Sequence, residues 1–415
     1  MSAGPLAGIR VVEVSVLLNA ATATMHLADL GAEVIKVESP FLGDYIRIEH
    51  TAHLHAQVNR NKRSVTLDLR TEGGQRLLHT LVASADVFVT NVVGPSLHKL
   101  GVSDEQLRPH KPDLVYCQVT GFGGTGPYAN VPVHGQMMDA LAGNLPGETG
   151  EDGLARFRRP PAVRSGSLSV AGESVAAGGI FAAYHIAAGL TRRERTGNGC
   201  RIDVSAAEAA LATAWTSAVA QLNLPEERKW WRGADASRDG ARYQIYRTRD
   251  ERYVMFCPEE QKFWSTFCAL VERPDLLDRR SGYELRREVQ ELIGARDRDE
   301  WLRLAAEYRL PLGPAHDGME EVAQDPQIRS RGILVEAETE AGEPVTHIGQ
   351  PVLTDGEAYT ASTPPPALGA DTDAVLRELG LGEEEIAELA RTHVTTAERM
   401  ATDYIITEGQ GTGGR

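Results

Sequence analysis

In the first 120 residues, short runs rich in β-branched side chains alternate with helix-like segments at regular spacing. The runs are IRVVEV (9–14), AEVIKV (32–37), SVTLDL (64–69), ADVFVT (85–90) and DLVYCQV (113–119). Helical segments are predicted over about 20–30 and 73–84, with a further helix starting at 104–108. Runs this short are too apolar for a half-exposed strand and too brief for a helix. They suit strands covered on both faces, joined by helical crossovers. The pattern therefore predicts an α/β fold with a parallel sheet, and ligands beyond the carboxyl ends of its strands.

Further along, 170–189 is rich in small residues and predicted helical, with Gly178, Gly179 and Ala182 suited to close helix packing. A turn at 196–199 leads into a strand at 201–204 and a helix at 206–220. Residues 225–330 differ in character: four of the five tryptophans lie there, among many Arg, Asp and Glu. A strand at 253–257 and helices at 261–271 and 298–308 predict a smaller α+β domain. Residues 331–415 are read as a return segment, with strands within 333–353, a stiff Pro364–Pro366 linker, and helices at 372–379 and 383–392 packing on the large domain. The division is thus 1–220, 225–330 and 331–415.

A net charge of −15 argues against a nucleic-acid surface, while leaving room for a local phosphate pocket. The four cysteines are scattered without a CxxC, which argues against a metal site or a disulfide scaffold and suits a reducing cytoplasm. Residues 175–190 contain His185 and three glycines and read as a buried helix rather than a membrane span. No signal peptide is read at MSAGPLAGIR. The expectation is a cytoplasmic protein without membrane or nucleic-acid partners.

Five motifs occur in order along nearly the whole chain: PLAGIRVVEVSVLLNAATATMHLADLGAEVIKVESPFLGD (5–44), NRNKRSVTLDL (59–69), GFGGTGPYANVPVHGQMMDALAG (121–143), TGNGCRIDVSAAEAAL (196–211) and DPQIRSRGILVE (325–336). Together they resemble the family III CoA-transferases, the group of formyl-CoA transferase and carnitine CoA-transferase, with the related α-methylacyl-CoA racemases. The resemblance implies a Rossmann-like large domain, a small domain, and two chains interlocked as a dimer. It implies coenzyme A or an acyl-CoA as substrate, a carboxylic acid as co-substrate, and no metal.

For the CoA phosphates, the NRNKR stretch supplies Asn59, Arg60, Lys62 and Arg63, read as lying just before a strand. Lys36 and Glu38 share one side of their strand, as a structural ion pair or as part of the CoA pocket. The family's ENFRPG run corresponds to Thr90-Asn91-Val92-Val93-Gly94-Pro95, so Asn91 is kept and the phosphate-binding arginine is replaced by Val93. Residues 233–240 match a mobile small-domain loop that covers the site in the family.

The resemblance places the family's nucleophilic aspartate, the D of PGYD, at Gly135. A glycine has no carboxylate with which to form a mixed anhydride. Three residues are candidates for the chemistry. Asp139 lies four residues on, about one helical turn away. His134 matches the histidine of the racemases' GHD, a general base in those enzymes. The racemases' acid precedes the glycine-rich helix and falls on Val175, or on Ser174 with another gap, leaving Glu173 nearby. The reading favoured is a CoA-transferase subunit whose homologous partner chain carries the aspartate. The alternatives are a stand-alone racemase- or lyase-like enzyme using His134, a non-enzymatic acyl-CoA binder, and an ordinary homodimer.

Overall fold

The computed structural model describes residues 4–157, 173–225, 240–358 and 363–395. They fall into two compact units. Unit 1 comprises the described residues up to 157, 173–213 and 329–395; unit 2 comprises 214–225 and 240–328.

Unit 1 is built on β1 (Arg10–Val14), α1 (Asn19–Asp29), β2 (Glu33–Glu38), α2 (Ala52–Asn59), β3 (Lys62–Thr66), α3 (Glu72–Ala83) and β4 (Val87–Thr90). Short helices α4 (Ser96–Lys99) and α5 (Asp104–Leu107) lead to β5 (Val115–Thr120) and α6 (Met137–Leu141). A small hairpin, β6 (Gly147–Thr149) and β7 (Ala155–Phe157), comes before α7 (Glu173–Thr196), β8 (Cys200–Ser205) and α8 (Ala206–Thr213). Six strands form one parallel sheet in the order β3-β2-β1-β4-β5-β8, the Rossmann arrangement. Register is set by pairs such as Val12–Ile35, Val12–Phe88 and Cys117–Ile202.

Strand alternation sends Val12, Val14, Ile35, Phe88 and Tyr116 into a core with α3. Val11, Val34, Val87, Val89 and Cys117 pack on the other face against α1 and α7. α7 reaches this face through its glycines. A Cβ at Gly179 would lie 2.4 Å from Thr22 Cγ2 of α1, and one at Gly189 would lie 2.9 Å from Cys200 Sγ. α7 is long and apolar enough to cross a membrane, and half of its apolar stretch is buried in this core.

Unit 2 holds a three-stranded antiparallel sheet with Tyr253–Phe256 between Gln244–Arg247 and Leu312–Ala315. Its core is Phe256, Trp264, Phe267 and Trp301. Both indole N–H groups are satisfied, donating to the carbonyls of Leu276 and Ile293. The hairpin of Leu334–Glu338 and Pro344–Ile348 belongs to unit 1.

Two expectations are corrected. The helix expected over 206–220 is two helices, α8 and Trp215–Asn223, broken at Ala214 where unit 1 gives way to unit 2. The strand expected over 64–69 is Lys62–Thr66: it starts two residues earlier, because Lys62 and Arg63 bury their stems in the sheet and find carboxylate partners there, and ends three residues earlier.

Candidate functional site

The strand order reverses between β1 and β4, and a cavity of about 320 Å³ opens there, beyond the carboxyl ends of β1 to β4. Asn91 ties the two strand ends: its Nδ2 donates to the Val16 carbonyl at 2.6 Å, and the Val16 N–H donates to its Oδ1 at 3.3 Å. Val14, Val37, Leu67, Leu69, Val92 and Leu100 make the apolar wall. Ser15, Glu38, Asp68 and Asn91 add polar edges. Arg70 is the one cation among the described lining residues, and its guanidinium lies 4.7 Å over the Phe41 ring. Asp68 accepts from Arg70 Nε at 2.8 Å and from Nη2 at 2.9 Å. A slot for a flat ring with a cation at its mouth suits a nucleotide.

Of the six residues expected to meet CoA, only Asn91 lines this cavity. The expectation for the other five is corrected by where their side chains go. Lys62 Nζ is buried and donates to Glu13 Oε2 at 2.8 Å, to Thr24 Oγ1 and to the Ala21 carbonyl. Asn59, also buried, donates to the His55 carbonyl and accepts from Lys62. Arg60, 0% exposed, forms a fork with both oxygens of Asp29, the last residue of α1. Arg63 pairs with Glu33 and Glu378 at the starts of the strands, the sheet edge opposite the cavity. Lys36, 1% exposed, pairs with Glu13 at 2.9 Å and Asp44 at 2.8 Å. Position along the sequence could not separate these cations from Arg70. The signal available was the rule that ligands gather beyond strand ends, which selects the residues after 66.

The buried pairs shape the cavity indirectly. Asp44, held by Lys36, accepts from the Leu17 N–H at 2.9 Å and from the Ile46 N–H. Leu17 has φ of +63°, a strained conformation for a leucine that this hydrogen bond helps to hold. Glu38 accepts from Arg47 at 2.6 and 2.9 Å and from the Asp44 N–H. Both loops that wall the cavity therefore hang on buried charges. Burial alone would push the Glu13 carboxyl up, but Lys36 and Lys62 outweigh it and hold the group well below the usual range. Burial opposes ionisation of Glu38 too, yet Arg47 and Lys36 bring it down to about 2.

Two buried histidines add an acid sensitivity. Burial, then the nearby Arg47 and Lys36, lower His55 to about 3; burial, then Arg60, lower His347 to about 4. Neither ring nitrogen of His347 meets a partner among the described residues. The unfolded chain protonates these imidazoles below about pH 6.5, whereas the folded chain does not until about 3 to 4. Their contribution to stability is full above pH 6.5 and falls as pH drops toward those values. Urea unfolding at pH 7, 6 and 5 is expected to show a decline of up to about 1.4 kcal/mol per pH unit for each histidine. A His55→Phe chain should show a shallower decline; an unchanged slope would contradict this assignment.

The residues expected to carry the chemistry lie elsewhere in unit 1, around α6. Asp139 is 1% exposed, and its Oδ1 accepts from the Ser174 N–H at 3.1 Å and from Ser174 Oγ at 2.7 Å. It caps the start of α7, where the helix dipole favours a carboxylate. The expectation of Asp139 as a substitute nucleophile is corrected on this ground. Asp139→Ala is expected to cost about 1–2 kcal/mol in urea unfolding, with Asp139→Asn milder because it keeps an acceptor. Equal losses from the two variants would contradict the capping role.

Glu173 is exposed at the first residue of α7, and His134 and Gly135 are exposed before α6. Gly135 has φ of +51°, and a Cβ built there meets nothing within 4 Å. Val175 packs with Phe122, Val133, Met138, Ala206 and Ala207. Asp139 thus brings the 121–143 motif and the start of α7 together, the two segments to which the resemblance assigns catalytic carboxylates. The loop expected over 233–240 lies, up to 239, outside the described residues.

The sequence pattern of CoA-transferase family III matches residues 6–372. Succinyl-CoA:glutarate CoA-transferase of Homo sapiens is 31% identical over 93% of this chain and 88% of its own length. Formyl-CoA:oxalate CoA-transferase of Escherichia coli is 27% identical over 94% of this chain and 99% of its own. Among solved structures, a Mycobacterium tuberculosis protein superposes with a TM-score of 0.71 at 26% identity, covering 90% of this chain and 99% of that one. A CaiB/BaiF family protein of Brucella suis superposes with a TM-score of 0.69 at 28% identity, covering 91% and 100%.

Proposed function

The chain belongs to CoA-transferase family III, and on that premise we propose that it moves CoA between an acyl-CoA and a carboxylic acid, as a subunit whose homologous partner chain supplies the catalytic aspartate. The cavity at the β1–β4 switch point supports the CoA part. It offers an apolar slot for adenine and Arg70 for phosphate. In this scheme a carboxylate attacks the thioester carbonyl, expelling CoA as thiolate and leaving a mixed anhydride. The thiolate then attacks the enzyme's carbonyl of the anhydride, expelling the first acid as its carboxylate and leaving an enzyme–CoA thioester. The second carboxylate attacks that thioester, releasing the thiolate and forming a new anhydride, and the thiolate attacks its acyl carbonyl to give the new acyl-CoA and restore the enzyme carboxylate.

The observation that carries the subunit reading is the absence of a carboxylate at both Gly135 and Val175, with the surrounding frame intact. The burial of Asp139 and the two hydrogen bonds its Oδ1 accepts from Ser174 support a structural role for it at the start of α7. The partner would be a homologous chain in the family's interlocked form. The test compares turnover of the isolated chain with turnover after co-expression with a homologous chain carrying PGYD or GHD. Binding of CoA without turnover in either case would instead favour a non-enzymatic acyl-CoA binder.

The exposure of His134 beside Gly135 favours one second reading, a stand-alone racemase- or lyase-like enzyme with His134 as base. It requires α-proton exchange of an acyl-CoA with deuterated solvent, abolished in His134→Ala. Absence of exchange removes it.

A further inference from the structure

We propose that Asp203 is a positioning residue for the acyl group: by pinning the glycine-rich loop 121–126 it shapes the seat that lets this chain hold an acyl-CoA more tightly than free CoA. This rests on the CoA-binding reading above and extends it from the ligand to the end of the ligand that carries the acyl group.

A loop of this composition does not hold itself. Residues 121–126 read GFGGTG, and Gly123 and Gly126 both have φ of +86°, so the backbone has much freedom to lose. Its anchors come from β8 and α8. The Gly124 N–H donates to Asp203 Oδ1 at 2.8 Å, a charge-assisted hydrogen bond to the middle of the loop. The Ala207 N–H donates to the Gly121 carbonyl at 3.1 Å. Asp203 stands beside Gln118 in the β5–β8 register. Gln118 is 2% exposed and donates from Nε2 to the Val92 carbonyl at 2.9 Å. A Cβ at Gly124 would lie 2.9 Å from Gln118 Oε1 and 3.2 Å from both Asp203 carboxylate oxygens, so the loop rests directly on these two side chains.

The loop's other contacts lead to the segment to which the resemblance assigns the chemistry. A Cβ at Gly121 would lie 2.6 Å from Val133 Cβ, an approach that only glycine permits, and Phe122 packs with Val133 and Met138. His134 and Gly135 lie between those two contacts in the chain. The Tyr128 ring, 5.9 Å from that of Phe122, leaves an exposed apolar surface for an acyl chain. With the nucleotide in the β1–β4 cavity, the thioester end of the ligand must pass to the ends of β5 and β8 to reach this segment. Neither Asp203 nor any residue of the loop is among the described residues lining that cavity, so the anchor acts on the acyl end alone.

Calorimetric titration of the full chain with CoA and with butyryl-CoA tests this. The unaltered chain should prefer butyryl-CoA by about tenfold, the yield of burying part of a short acyl chain. Asp203→Ala should cut that preference to about twofold or less with CoA affinity unchanged, as one charge-assisted hydrogen bond is lost. Asp203→Asn, which keeps an acceptor for the Gly124 N–H, should retain most of it. Gly124→Ala, with Asp203 intact, should reproduce the loss by lifting the loop off Gln118, and it carries the test if Asp203→Ala does not fold. Amide exchange at 123–125 should rise in Asp203→Ala and not in Asp203→Asn. Equal affinities for the two ligands in the unaltered chain overturn the proposal while the CoA reading stands. A preference kept in Asp203→Ala or Gly124→Ala, or an equal loss of both ligands, also overturns it. If neither ligand binds, the CoA reading fails and this proposal falls with it.

Discussion

Lys36→Met is expected to lower the unfolding free energy by about 3–5 kcal/mol, the cost of removing one partner from a buried ion pair. The substitution keeps the stem's volume and deletes the ammonium. Glu13 would retain Lys62 at 2.8 Å, but Asp44 would be left buried with its charge uncompensated by Lys36. The same change should loosen the segments around Leu17 and Ile46, because their N–H groups donate to Asp44. Urea unfolding followed by far-UV circular dichroism reads the first effect. Amide hydrogen exchange of residues 15–18 and 39–47 reads the second, and CoA affinity should fall with it, since both loops wall the cavity. A loss below about 1 kcal/mol, or exchange confined to other segments, would contradict the idea that buried charges hold the cavity's shape.

Much of the sheet was legible because burial on both faces forces β-branched residues into short runs, as in β1, β2 and β4. The start of β3 was not, because Lys62 and Arg63 read as loop residues until Glu13 and Glu33 are seen beside them. For the same reason the basic NRNKR stretch looked like a phosphate site. Sequence records that a cation is present, and not that a carboxylate 30 to 49 residues earlier has already claimed it. Asp139 was misread for a related reason: its partner Ser174 lies 35 residues on, at the start of another helix. Asn91, singled out by the ENFRPG-like run, lies on the cavity wall. Arg70 carried no motif, and only the strand order places it at a cavity mouth.

The largest expected effect on activity follows from the proposed subunit reading. If the reacting carboxylate comes from the partner chain, covalent transfer by the isolated chain has no first step, so it should turn over acyl-CoA and carboxylic acid about a thousandfold or more slowly than a complex with an aspartate-bearing homologous chain. Restoring a carboxylate in this chain separates the two positions the resemblance assigns. Gly135→Asp enters open space, with its positive φ as the obstacle. Val175→Asp enters an apolar cluster close to Asp139, which disfavours a second charge there. Recovered turnover in one of these would identify where the reacting oxygen sits.

The most direct measurement is CoA transfer by three preparations: this chain alone, its complex with a homologous chain carrying the aspartate, and the same complex with that aspartate changed to alanine. The account predicts transfer in the second alone. Full-rate transfer by the isolated chain, or by the complex after loss of the partner's aspartate, would contradict it.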